Sequence, residues 1–213
     1  MVIKNQKPSI RLMKEMKKVL YNKELADKFP ELELYYVWRG VDKKDGLRYD
    51  ITLIPPQMLC EEYVRTKGNR NSENYFELYT VLEGKAIFLM QKFKKEIVED
   101  VMVIKAKKED WISISSEYAV IIINPSNKIL KTGNWVSEKN ENTYQELEEM
   151  GGGCYFYTKS GWIKNKNYKH IPKIHFEKPL NPIRKNKILK AIKFLKFSNG
   201  VKKMPKSLDF LKG

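Results

Sequence analysis

Hydrophobic positions along the chain change period twice, and the changes divide it into three parts. In "SIRLMKEMKKVLYN" the apolar residues Ile10, Met13, Met16, Val19 and Leu20 recur at helical spacing behind Ser9, a residue suited to an amino-terminal cap. An amphipathic helix is therefore predicted within residues 1–30. From residue 33 the period drops to two. "ELYYVWRG" (33–40) and "LRYDITLI" (47–54) flank the turn "VDKKDG", "YFELYTVL" (75–82) and "AIFLMQKF" (86–93) flank "EGK", and "EDVMVIKA", "DWISIS" and "YAVIIIN" follow. Short strands with turn signals at roughly ten-residue intervals predict an antiparallel barrel or sandwich over residues 31–150. "MGGGC" (150–154) reads as a flexible joint to a third part, residues 151–213. That part opens with the hairpin "CYFYTKSGWIKN" and closes with a helical face of Ile188, Leu189, Ile192 and Leu195 among lysines.

Composition supports folding: 42% of residues are hydrophobic and 12% aromatic in a chain of 213. No apolar run approaches the roughly 20 residues of a membrane span. The amino terminus carries charges where a signal peptide needs an apolar stretch, so a cytoplasmic protein is expected. Cys60 and Cys154 are too few for a disulfide framework or a paired-cysteine zinc site. The net charge of +15 is unevenly placed: residues 151–213 hold 16 Lys+Arg against 2 Asp+Glu, leaving 25 against 24 for residues 1–150. A neutral body with a basic tail results. Its lysine-flanked apolar face would suit the barrel, a partner subunit, an anionic membrane surface or a nucleic acid backbone. The strands lack the aromatic and basic interleaving of single-strand binders.

The chemistry is concentrated in "TKGNRNSENYFELYTVLEG", residues 66–84. Asn69 and Asn71 are separated by a single position, Glu77 follows six residues later, and Gly84 seven after that. In β-barrel metalloproteins this spacing brings two imidazoles and a carboxylate together around a first-row divalent ion. Here amides stand at the imidazole positions. Together with Thr52 and "ELYTVLEGK", these residues resemble the cupin-type phosphoglucose isomerases of archaea, from about Leu47 to Gly84 and more loosely to about residue 144.

That resemblance implies a cupin (jelly-roll) barrel and a metal site of the form Thr-Lys-Gly-His-x-His, with a glutamate and a later third histidine. Carried over by position, the histidines fall on Asn69, Asn71 and Val120, and only Glu77 remains. Two amides with one carboxylate would hold a divalent metal weakly, so no cofactor is expected. The resemblance also implies a phosphate cradle at Thr52, Thr66 and Gly68, with Tyr79 and Tyr144 lining the pocket and Asn142 replacing a histidine beside the latter. Hydroxyls and an unobstructed backbone suit phosphate. Glu77 is the candidate proton-transfer residue, since a carboxylate serves as the base in metal-free isomerases.

Three readings follow: a binder of a small phosphorylated ligand, a metal-independent aldose–ketose isomerase, and a non-catalytic protein acting through its basic tail. A homodimer is the default assembly. Arg65, Lys67 and Arg70 are candidate sources of positive charge, although alternation sends Arg65 away from Thr66. His170 and His175 lie five apart in a predicted strand, so alternation points them to opposite faces, and with no cysteine or carboxylate cluster beside them they are not expected to bind metal. Cys154 reads as a small buried hydrophobe.

Overall fold

The computed structural model describes residues 6–72 and 75–180. Strands dominate: β1 (Ser9–Leu12), β2 (Glu33–Lys44), β3 (Leu47–Ile54), β4 (Met58–Leu59), β5 (Glu62–Tyr63), β6 (Asn69–Asn71), β7 (Glu77–Glu83) and β8 (Lys85–Lys94) come first. They are followed by β9 (Ile97–Lys107), β10 (Trp111–Ile114), β11 (Ala119–Ile123), β12 (Leu130–Ser137), β13 (Asn142–Thr143), β14 (Tyr155–Thr158), β15 (Gly161–Lys164) and β16 (His175–Glu177). Among the described residues, helix is confined to α1 (Met13–Met16), a 3₁₀ turn at Lys17–Val19, α2 (Leu25–Lys28) and α3 (Gln145–Glu149). Among the described residues no helix is long and apolar enough to cross a membrane.

Two six-stranded sheets, in the orders β1-β2-β3-β12-β7-β10 and β13-β6-β11-β8-β9-β16, form a cupin jelly roll. Tyr35, Ile54, Val81 and Ile112 of the first meet Phe88, Met90, Ile104 and Ile122 of the second in one core. The second sheet is buried on its other face too. Ile87, Leu89, Val101, Val103, Ala119, Ile121 and Ile123 pack there against Leu147, Cys154, Tyr155 and Tyr168. Burial on both faces explains the unbroken apolar run "AVIII" of β11, where a half-exposed strand would alternate.

Three expectations are corrected. Residues 9–12 form a strand, with Arg11 opposite Tyr35 on β2, so Ser9 caps no helix and the predicted helix shrinks to α1 and the 3₁₀ turn. Met13, Met16, Val19 and Leu20 are nonetheless buried, since core contacts hold them whether or not the backbone stays helical. "MGGGC" is not a free joint. Cys154 N–H donates to the Gln91 side chain at 2.7 Å, Tyr168 O–H to the Gly152 carbonyl at 3.0 Å and the Asn165 amide to the Gly153 carbonyl at 3.0 Å. These bonds seat residues 151–168 on the barrel, with β14 and β15 as the predicted hairpin. His170 and His175 do not share a strand: His170 makes an isolated bridge to Ile97, while His175 lies in β16 with Nδ1 3.2 Å from Asp100. The predicted helix at 188–195 lies outside the described residues.

Candidate functional site

The site occupies the space between the sheets at one end of the barrel. Strand alternation sends residues 35, 37 and 39 of β2, 50 and 52 of β3, 77 and 79 of β7 and 134 of β12 to the same face. Register then aligns them: Val37 pairs with Thr52, Asp50 with Asn134, and Asn134 with Tyr79. Arg11 of β1 lines the cavity on this side, and Asn69, Ile122 and Asn142 of the other sheet close the opposite wall, together with Thr66, Gly68 and Tyr144.

Glu77 lies at the inner end, 2% exposed. Its Oε1 accepts a hydrogen bond from the Asn134 amide at 3.1 Å, a diagonal cross-strand contact, while Oε2 is buried with no partner among the described residues. Loss of hydration pushes its carboxyl up to about 7; the neighbouring Asp50 charge adds to this, and Tyr79, Asn71 and Arg48 oppose it. Asp50 is held by Arg48 at 3.0 Å and by the Gly40 N–H at 2.8 Å. A carboxyl poised near neutrality can both take and return a proton.

Thr66 is fixed against β11, its N–H donating to the Ile122 carbonyl at 2.9 Å and its hydroxyl oxygen accepting from the Ile122 N–H at 3.0 Å. Gly68 has φ +85°, and a Cβ there would lie 2.7 Å from Ile121 and 2.8 Å from Leu147, so only glycine fits this approach. The Lys67 ammonium sits 5.5 Å from the Tyr144 ring and pairs with Glu148, whose carboxyl it helps hold below the usual range.

Thr52, Thr66, Gly68, Asn69, Glu77, Tyr79 and Tyr144 thus line one cavity of about 50 Å³. Asn71 and Val120 do not line it. Asn71 donates to the Tyr75 carbonyl and accepts from Asn140, and Val120 sits in the core opposite Asn69 in the β6–β11 register. One carboxylate with neutral amides is a poor match for a first-row divalent ion. Among the described residues no group of three His, Cys, Asp or Glu side chains is placed to hold a metal.

Positive charge reaches the cavity from residues the sequence did not single out. Arg11 and Arg39 line it, whereas Arg65 is buried against Glu62 at 2.6 Å and Arg70 reaches Glu146 and the Phe93 carbonyl. Alternation from Tyr35 and Val37 would have found Arg39; nothing marked Arg11, because its segment reads as helix. A wider cleft of about 560 Å³ adjoins, lined by Lys43, Arg48 and Glu138 and sharing Arg39, Asn142 and Tyr144 with the inner cavity.

Comparison with solved structures finds partial similarities, among them three. CapF from Staphylococcus aureus is 12% identical with a TM-score of 0.41, over 51% of this chain and 31% of that one. Vicilin from Corylus avellana is 15% identical with a TM-score of 0.39, over 52% and 31%. The Cnp3 cupin domain of Schizosaccharomyces pombe is 10% identical with a TM-score of 0.37, over 56% and 72%. The chain spans under a third of the CapF and vicilin chains. No curated protein matches the sequence. A family model described as Glucose-6-phosphate isomerase (GPI) matches residues 21–173, well over half the chain and every cavity-lining residue except Arg11, and the chain belongs to that family.

Proposed function

We propose that the chain binds a phosphorylated sugar at the barrel mouth without a metal ion, with Glu77 as the side chain that moves a proton. The observation that carries this reading is the buried carboxyl itself. It is raised to about 7, anchored through one oxygen by Asn134, with the other oxygen unpartnered in a cavity walled by hydroxyls and arginines. The metal-ligand positions are degenerate in this reading, since amides and a valine replace imidazoles. Thr52, Thr66 and the Gly68 backbone cradle the phosphate, and Arg39 supplies its counter-charge.

The inner cavity of about 50 Å³ is far below the roughly 300 Å³ at which small-molecule pockets begin. A hexose phosphate must therefore extend into the adjoining cleft, and Arg39, Asn142 and Tyr144, which line both spaces, are the residues it parts.

The test is fructose 6-phosphate in deuterated water with chelator, given to the native chain and to Glu77→Gln. Both are expected to bind the sugar in equilibrium dialysis, and only the native chain to place deuterium on the carbon next to the carbonyl. Binding by neither defeats the proposal. Deuterium exchange undiminished in Glu77→Gln removes Glu77 from the chemistry.

A further inference from the structure

The inner cavity is polar in an unbalanced way. Six buried side-chain nitrogen or oxygen atoms have no hydrogen-bond partner among the described residues, and three belong to residues lining this one cavity: Glu77 Oε2, Asn69 Nδ2 and Arg11 Nε. An unpaired buried donor or acceptor costs on the order of 1–3 kcal/mol, and native folds leave few. One acceptor and two donors gathered in one space are complementary to a guest that offers a proton on one side and an oxygen on the other.

Each residue is held by its neighbours. Asn134 occupies Glu77 Oε1, which leaves Oε2 as the free oxygen. Asn69 is in β6, with Val120 of β11 opposite it. Arg11 is in β1 opposite Tyr35, which with Glu15, 2.6 Å from a terminal nitrogen, holds the guanidinium, while Nε is buried with no partner among the described residues. Pre-set donors of this kind stabilise a charge that develops during reaction at little cost in rearrangement.

We propose that Asn69 Nδ2 and Arg11 Nε donate hydrogen bonds to the ligand oxygen that becomes negative as Glu77 takes a proton from the adjacent carbon. Two nitrogen donors thereby supply the stabilisation that a divalent ion gives where imidazoles are present. This rests on the sugar-phosphate reading above. In the step, Glu77 Oε2 accepts the proton, the C–H pair becomes the carbon–carbon π bond, and the carbonyl π pair moves onto oxygen between the two donors. The neighbouring hydroxyl proton passes to that oxygen, its own oxygen becomes the new carbonyl, and Glu77 returns its proton to the carbon that was first the carbonyl. Atoms and charge balance without a co-reactant.

The experiment compares two ligands in chelator by equilibrium dialysis: fructose 6-phosphate, and the five-carbon aldonate phosphate whose planar carboxylate carries the charge of the intermediate. Asn69→Leu and Arg11→Met are each expected to weaken the aldonate about 10- to 100-fold and fructose 6-phosphate less than threefold, as for donors to a charged acceptor. Arg11→Lys keeps the positive charge while removing the Nε–H, and is expected to behave like Arg11→Met. Asn69→Ser serves if the leucine variant fails to fold. Equal loss of both ligands, or of neither, overturns the assignment while the sugar-phosphate reading stands. Failure of the native chain to bind either ligand overturns both.

Discussion

Glu77→Gln is expected to stabilise the fold by about 3 kcal/mol at pH 8 and to change it little at pH 4, as read from urea midpoints of the two proteins. The carboxyl moves from an ordinary 4.5 to about 7 on folding because the barrel strips it of water. A group that holds its proton more tightly when folded favours folding while protonated, and that advantage is lost as pH rises from about 4.5 through 7. The difference in affinity corresponds to about 3 kcal/mol, fully expressed above pH 7. Glutamine removes the charge and keeps an oxygen for the Asn134 amide, so its stability carries no such slope. A residue retained against its own folding cost is what a working proton-transfer group looks like. Parallel pH profiles for the two proteins would show that Glu77 is not desolvated and would withdraw the basis for its role.

Arg65→Met is expected to cost about 3–5 kcal/mol, the usual penalty for leaving one charge of a buried pair uncompensated. Arg65 and Glu62 have side chains only 2% and 1% exposed, with 2.6 Å between them. Arg65 also bonds the carbonyls of Thr66 and Val19, and Glu62 accepts the Tyr21 N–H at 3.0 Å. The pair therefore fastens the amino-terminal segment to residues 62–66, which lead into the cavity-lining Thr66 and Gly68. Removing Glu62 as well, in Glu62→Leu with Arg65→Met, should recover much of the loss, because no lone charge then remains. Chemical denaturation of the native, single and double variants decides it. A single variant as stable as the native chain would mean that water reaches the guanidinium and that the pair does not hold this corner.

The strands were legible because their residues obey one constraint at a time. β3 has the predicted bounds, 47–54, since alternation and its flanking turn agree. β12 escaped notice because Gly133 and Asn134 at its centre are poor strand formers. Each is there for a tertiary reason: a Cβ on Gly133 would lie 1.9 Å from the Tyr49 hydroxyl, and Asn134 holds Glu77. Ser9–Leu12 was misread because its apolar residues continue the helical stripe of Met13 and Met16, and pairing with β2 leaves no local mark. The same event hid Arg11. In the site, the resemblance carried by residues 66–84 implied one pocket holding Thr66, Gly68, Asn69 and Glu77, and these residues line one cavity, while the source of positive charge was not legible. Arg65, Lys67 and Arg70 were near in sequence, yet buried pairing and the opposite strand face take them elsewhere.

The most direct measurement is a calorimetric titration of the native chain with fructose 6-phosphate, once in chelator and once with excess Mn²⁺. Saturable binding of the same affinity in both is the predicted result, because in the proposed reading Thr52, Thr66, Gly68 and Arg39 hold the ligand, and among the described residues no group of three metal-ligating side chains is placed to hold the ion. Binding that appears only with Mn²⁺, or in neither condition, would contradict a metal-free sugar-phosphate pocket.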